Sequence, residues 1–568
     1  MQTVKVAVSQ LTVKDGSRET STDEEAAQVL CDYFQQVFTR EENVQEFNSS
    51  TTTSNGEQIP IKFEVEEVQK KLRQLKSDKS PGPDGMHPLL LNRCAEVVAE
   101  PLALIFQKSF NSGQVPTDWK TANVAPIFKK GTRTDPGNYR PVSLTSVPCK
   151  IMESIIRDDT ISFLEASKKL NSYQHGFTRK RSCLTNLLES LEAWTQALDE
   201  GYGVDVVFLD YRKAFDSVPH KRLIEKLKTF GLNVQLVEWI AEFLRDRKMR
   251  VRVHGSFSNW AEVLSGVPQG SVLGPLLFLL FVNDLPSVIK SHIRMFADDT
   301  KIWCTIKDET DSIRLQQDLD NMEAWCQEWL LKLNPSKCKV MHIGHRVQTG
   351  YYVKEEALTR KLDETTEEKD LGIYLTEDLK ATQQCTKAAS KATSVLRMIR
   401  RNFHRIDVED FRILYKTYVR PHMEYAVQAW SPYMVKDIQV LEKVQQRATK
   451  CVTGLKNKTY HQRLKILGIP SLELRRKRGD LIETYKILTG KEDIDRDQLF
   501  QLTPNIHSTR GHQLKLFKKP CRINVRKFFF SQRVVDSWNS LPSNVVESPS
   551  INTFKNRLGD YISRNGRV

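Results

Sequence analysis

Two adjacent acids, Asp298 and Asp299, stand in the run Met295-Phe296-Ala297-Asp298-Asp299-Thr300-Lys301. Strand-forming residues flank them, Ile293 and Met295-Phe296 before and Lys301-Ile302-Trp303-Cys304 after, so the pattern predicts a hairpin with two carboxylates at its tip. Like charges side by side at a turn repel unless a cation shares them. Mg²⁺ suits carboxylate oxygens and brings phosphate with it; a solvated turn is the plainer alternative. Asp210 is the third acid of interest. It ends the apolar run Gly203 to Leu209, interrupted only by Asp205. An acid at the end of a buried strand can face a cleft, whereas one within the strand faces the core. Three carboxylates at neighbouring strand ends make a ligand set for two Mg²⁺ ions about 4 Å apart. One ion would lower the pKa of a 3′-hydroxyl and the other would hold a triphosphate and its leaving pyrophosphate. Capping the next turn is the alternative for Asp210.

Phe215 follows Asp210 by five residues. A bulky ring near the sugar of a nucleotide would clash with a 2′-hydroxyl; core packing is the other reading. Gly266-Val267-Pro268-Gln269-Gly270-Ser271 is a glycine-flanked loop before a helical run. Glycines let a backbone approach a base or sugar closely, and a helix N-terminus favours anions; a plain turn would use the same residues. The ten cysteines include no CxxC pair, which argues against zinc fingers and knuckles. Cys338, His342 and His345 alternate along a predicted strand, so they do not converge on a metal.

The elements that must carry these residues follow from periodicity. A chain of 568 residues holds three to four domain-sized units. Residues 1–60 read as a linker with one helix, Asp23 to Arg40, followed by the polar run Asn48 to Glu57. Helices are expected over Val65–Leu75, Pro88–Phe110, Lys150–Phe163, Leu184–Asp199, Pro219–Phe230, Val234–Arg247 and Asp308–Leu331. Strands are expected at Ala122–Gly131, Asn138–Leu144, Gly203–Leu209, Met249–Val253, Lys337–His342 and Leu371–Leu375. From Lys380 to Gly490 the pattern is mostly helical, and beyond it Phe528-Phe529-Phe530 and Trp538 are expected core anchors.

Charge is unevenly distributed. Residues 380–568 hold 37 Lys+Arg against 16 Asp+Glu, while residues 1–379 hold 48 against 54. A polyanion such as nucleic acid suits the basic part; solubility is the blander explanation. The densest run, Arg475-Arg476-Lys477-Arg478, fits phosphate contact, a nuclear address or a solvated face. The start has no secretory signal, and the longest apolar stretch, Val272 to Val282, is too short to span a bilayer. With its irregular cysteine spacing the chain is expected to be intracellular and not secreted.

Leu209-Asp210-Tyr211-Arg212-Lys213-Ala214-Phe215-Asp216-Ser217-Val218, then Gly266 to Pro275, then Phe296-Ala297-Asp298-Asp299-Thr300-Lys301 resemble the A, B and C motifs of reverse transcriptases. Ser80 to Gly85, Asn138 to Leu144, His175-Gly176-Phe177 with Arg179, Ser182 and Cys183, and Asn334 to Lys339 are similar to jockey-type non-long-terminal-repeat (LINE) retrotransposons. The resemblance implies an α+β, right-hand polymerase with a helical, basic C-terminal region. Its fingers would span 61–200, its palm 201–379, its helical thumb 380–490 and a C-terminal segment 491–568. It implies RNA-directed DNA polymerase activity, with Asp210, Asp298 and Asp299 holding two Mg²⁺ ions, Mn²⁺ being a substitute. Phe215 would gate the sugar, Gln269 and Gly270 would line the nucleotide site, and Arg140 and Lys130 would reach the triphosphate. Lys337 would protonate pyrophosphate. RNA template, DNA primer or nicked target DNA, and deoxynucleoside triphosphates would be the partners. The nucleus is the implied place of reaction, with the cytoplasm as the other. The family's endonuclease is expected to be absent, so a nick would come from another chain. Rival readings are a non-catalytic RNA-binding remnant and an intron maturase, although no maturase-specific segment is recognised.

Overall fold

The computed structural model describes residues 8, 10–12, 18–41, 61–344, 349–355, 358–503 and 511–565. The expected polar run Asn48–Glu57 and His345 lie outside them. Contacts gather the chain into two units, each assembled from three stretches. The first takes Met1–Gln174, Asp210–Ile289 and Asp320–Asn334; the second takes His175–Leu209, Lys290–Leu319 and Pro335–Val568. Along the chain, α1 (Asp23–Gln35), β1 (Thr121–Phe128), β2 (Tyr139–Leu144) and α2 (Val147–Ala166) belong to the first unit. The helix α3 (Cys183–Glu200) and β3 (Gly203–Leu209) belong to the second. The chain then returns to the first unit with β4 (Lys248–Val253) and α4 (Gly274–Phe281). Back in the second are β5 (His292–Phe296), β6 (Asp299–Ile306), β7 (Lys339–Ile343), β8 (Asp363–Glu364), α5 (Thr382–Asn402) and α6 (Leu472–Leu488). Helices and mixed sheets together make the expected α+β class.

In the first unit β1 pairs antiparallel with β2 and parallel with β4, which also pairs with the short strands Ser256–Phe257 and Ala261–Glu262. Alternation sets what each face meets. Val124, Tyr139, Met249, Val251 and Val253 pack with Ala27, Leu30 and Phe34 of α1. That helix begins where Thr22 accepts a hydrogen bond from the Glu25 amide, with three acids in its first turn. It stops at Gln35, five residues before the expected end, and Val37 and Phe38 continue as non-helical chain.

In the second unit the sheet order is β8-β7-β3-β6-β5. The middle strand β3 is apolar apart from Asp205 because both its faces are covered, which gives the unbroken run seen in the sequence. Trp194 of α3 and Trp303 of β6 meet edge to face, 5.8 Å between centroids, in the core beside it. From Thr382 to Gly490 the described residues are predominantly helical, as expected. Phe529, Phe530 and Trp538 are buried anchors, but Phe528 is 37% exposed and stacks on Tyr433. The helix expected over Pro88–Phe110 is two helices, Pro88–Arg93 and Ala95–Ser112, divided at Cys94. Just before the break, Asn92 turns its amide to the carbonyls of Leu72, Arg73 and Leu75. No helix among the described residues is long and apolar enough to cross a membrane.

Candidate active site

The paired acids do sit at a hairpin tip. Phe296 of β5 pairs with Asp299 of β6, which leaves Ala297 and Asp298 as a two-residue turn. Such turns call for positive φ and usually recruit Gly, Asn or Asp. Ala297 occupies that region at φ 56°. Asp298 is half-buried and Asp299 exposed. On the other side of β6, Leu209 of β3 lies opposite Thr300, and Asp210 is the next residue in the chain. In the first unit, Asp210 is fixed by Asn334. The Asn334 amide N–H donates to the Asp210 carbonyl at 2.8 Å, and its Nδ2 donates to Oδ2 at 3.2 Å. Tyr211 bridges to Leu333 alongside. Nothing in residue type alone marked Asn334 for this role. Among the described residues no group of three or more His, Cys, Asp or Glu side chains is placed to hold a metal ion.

Phe215 packs against its neighbours. It is half-buried, with its ring stacked on Phe278 of α4 at 4.4 Å and 18°. Beside it, Asp216 Oδ1 accepts a hydrogen bond from Gln269 Nε2 at 2.9 Å. Both glycines of the Gly266–Ser271 loop are needed for protein–protein approach. A Cβ on Gly266 would come 2.6 Å from the Asp216 carbonyl oxygen, and one on Gly270 would strike the Ser143 carbonyl oxygen. Their φ angles, 90° and 125°, are also unsuited to a side chain. Glu153, buried in α2, accepts from the Val272 and Leu273 amides ahead of α4, at 2.7 and 3.0 Å. Burial pushes its carboxyl pKa up. Gly270→Ala should therefore cost about 1–3 kcal/mol of stability. The urea-unfolding midpoint is the check, and an unchanged midpoint would contradict the contact.

The remaining expected residues are dispersed. Arg140 is exposed on β2 opposite Ile127, and Lys130 is exposed just past the end of β1. Lys337 is exposed in a turn before β7, and the Lys339 Nζ lies 3.8 Å from Glu368. Among the described residues His342 belongs to no metal-holding group; its Nδ1 and the Tyr351 hydroxyl each meet the buried Asp205 carboxylate at 2.6 Å. An acid within the strand thus faces the core, as expected, with both oxygens satisfied.

The basic run Arg475–Arg478 is largely internal rather than solvated. Arg475 forms a two-pronged ion pair with Glu424, Arg476 is buried, and Arg478 donates to the Lys555 carbonyl at 3.0 Å. Lys477 pairs loosely with Glu473 at 3.4 Å. Helix periodicity turns consecutive residues to different faces, and this helix has buried surroundings on several of them.

Behind the hairpin, in the second unit, Glu189 of α3 receives Arg294 Nε at 2.5 Å and faces His175 Nε2 at 3.2 Å. Burial alone would raise the Glu189 carboxyl, but the His175 hydrogen bond and the Arg294 charge outweigh it and hold it at about 2. Burial pushes the His175 ring below its usual value, and Arg294 places a positive charge beside the carboxylate. The unfolded carboxyl titrates near 4.5, so this contribution is complete above that pH. It is lost as the pH falls from 4.5 towards 2, because only the unfolded chain takes up the proton. Glu189→Gln should flatten the acid limb of stability by about 1.4 kcal/mol per pH unit. Urea titrations between these limits measure the slope.

Residues 127–375 match the family described as reverse transcriptase (RNA-dependent DNA polymerase), a span that contains every candidate residue from Lys130 to Lys337. A probable RNA-directed DNA polymerase from transposon BS of Drosophila melanogaster is 29% identical over 460 residues, covering 77% of this chain and 50% of that protein. The corresponding protein of the X-element, from the same organism, is 26% identical over 429 residues, covering 72% and 46%. The RNA-directed DNA polymerase from mobile element jockey is 31% identical over 292 residues, covering 50% and 32%. The chain spans about half the length, or less, of these curated relatives. Residues 127–375 thus match the reverse transcriptase (RNA-dependent DNA polymerase) family, in a chain similar to the RNA-directed DNA polymerases of transposon BS and mobile element jockey.

Proposed function

We propose that the chain is an RNA-directed DNA polymerase that extends a DNA 3′-end on an RNA template from deoxynucleoside triphosphates. One observation carries this reading. Leu209 and Thr300 are register partners on neighbouring strands, and the next residue beyond each is an aspartate, Asp210 after the first and Asp299 before the second. Asp298 stands beside Asp299 in the turn. Hard carboxylate oxygens fit Mg²⁺, which is commonly held by one or two carboxylates and completed by substrate phosphates and water. That fits a site without a complete protein cage. When bound with the nucleotide, Mg²⁺ or Mn²⁺ would supply Lewis-acid activation of the 3′-hydroxyl and neutralise charge on the triphosphate.

The chain's own residues then position and discriminate. Asn334 orients Asp210. Phe215, braced on Phe278, would exclude a 2′-hydroxyl, and Gln269, oriented by Asp216, would present its amide beside Gly270 to the incoming nucleotide. Arg140 and Lys130, at the exposed end of the β1–β2 pair, would meet triphosphate oxygens, and Lys337 would give a proton to pyrophosphate. Fingers over 61–200, palm over 201–379, thumb over 380–490 and a C-terminal segment over 491–568 belong to the same reading. So do an RNA template, a primer or nicked DNA whose nick another chain provides, and a nuclear site of action.

The direct test is primer extension by the full chain on poly(rA)/oligo(dT) with dTTP and Mg²⁺. Incorporation is expected. Template binding without incorporation, in either Mg²⁺ or Mn²⁺, would overturn the polymerase reading in favour of a non-catalytic RNA-binding protein.

A further inference from the structure

The outer strand of the hairpin has an unusual anchorage. β5 is the edge of its sheet, so alternate backbone groups along it face away from β6. Met295 pairs with Thr300, one step back from the Phe296–Asp299 pair that closes the turn. Its carbonyl oxygen points off the sheet and accepts two hydrogen bonds, from the His175 backbone N–H at 2.9 Å and from Asn186 Nδ2 at 3.1 Å. The preceding residue, Arg294, is held through its side chain by Glu189. Asn186 and Glu189 are three residues apart on α3 and therefore share a face. One helix thus grips two successive residues of β5, one by backbone and one by side chain. Its own start is fixed by a capping box between Ser182 and Thr185, and the Thr185 hydroxyl also meets His175 Nδ1 at 2.8 Å.

We infer that Asn186, together with the His175–Glu189–Arg294 group, is a positioning device that fixes the Asp298–Asp299 turn for metal binding. The inference rests on the reading of those acids as metal ligands. The turn contains a non-glycine residue in the left-handed region, at Ala297, and such a conformation persists only where its surroundings hold it. A ligating carboxylate must also be kept within about 0.5 Å of its working place. The Asn186 amide is 1% exposed and its Oδ1 has no partner among the described residues, so its one hydrogen bond is to the hairpin. A side chain kept for packing alone would be better served by leucine, which is similar in size and leaves no buried polar atom unsatisfied.

The test is hydrogen–deuterium exchange on the full chain, comparing wild type with Asn186→Leu. Arg294→Met serves as a second variant, acting from the strand side in case the first does not fold. Amides across 292–306 should exchange about tenfold faster in either variant, the effect of one lost hydrogen bond on local opening. Amides of α6 should keep their wild-type rates. Equal acceleration in both regions, or in neither, would overturn the inference. Primer extension by the same proteins should show turnover reduced about tenfold with the dTTP KM unchanged, as for a displaced metal site rather than a lost substrate contact. Should wild type extend no primer, the polymerase reading falls by itself, and the exchange rates still decide whether Asn186 holds the turn.

Discussion

Asp298→Asn should reduce primer extension by at least about 10³-fold, the scale seen when a preorganised charge-stabilising group is removed from an active site. Asparagine preserves the size and one oxygen of the side chain but not its negative charge, and Asp298 is only half-buried. Stability should therefore stay within about 0.5 kcal/mol of wild type. The pairing of a large kinetic loss with an intact melting curve is the signature of a metal ligand. Asp210→Asn should behave in the same way, with one difference. Its Oδ2 accepts from Asn334, so an amide placed there can set two NH₂ groups against each other and cost some stability as well. Equal incorporation by wild type and Asp298→Asn would reject the site.

Glu192→Ala should lower stability by about 3–5 kcal/mol, the usual consequence of stranding one member of a buried ion pair. Glu192 lies on α3 with a side chain 1% exposed and pairs with Arg526, whose side chain is 4% exposed. Arg526 Nη2 and the Ser531 hydroxyl each donate to it at 2.6 Å. Removal leaves a guanidinium buried beside Thr195 with no countercharge. Glu192→Gln, which retains an acceptor, should cost less. The double variant Glu192→Leu with Arg526→Met should recover much of the loss, because the desolvation cost disappears with both charges. Chemical denaturation of the four proteins measures this, and a change below about 1 kcal/mol for Glu192→Ala would contradict the buried pair.

How much of this was legible in the sequence depended on whether a residue's role is local. The limits of β3 were read correctly because a strand covered on both faces leaves a continuous apolar run. The acidic hairpin was legible because alternating strand residues and a polar turn are neighbours in the chain. The end of α1 was not, since Val37 and Phe38 keep a helical spacing after the backbone has left the helix. Polar residues with distant partners were invisible. Asn186, Glu153, Glu192 and Asn334 each act on residues 109 to 339 positions away. Arg475–Arg478 failed in the opposite sense. Four basic residues in a row suggest water or phosphate, but three of them are taken up inside the second unit.

The helix α3 reaches in two directions. Asn186 and Glu189 attach to the hairpin strand, while Glu192, Thr195 and Asp199 take hold of the segment from Arg522 to Ser531. A shortened chain that ends before Arg522 would release the second grip and free the helix to shift, and with it the turn that bears the acids. On the proposed reading the segment from Arg522 to Ser531 braces the acidic turn, so a chain cut before it should extend primers more slowly.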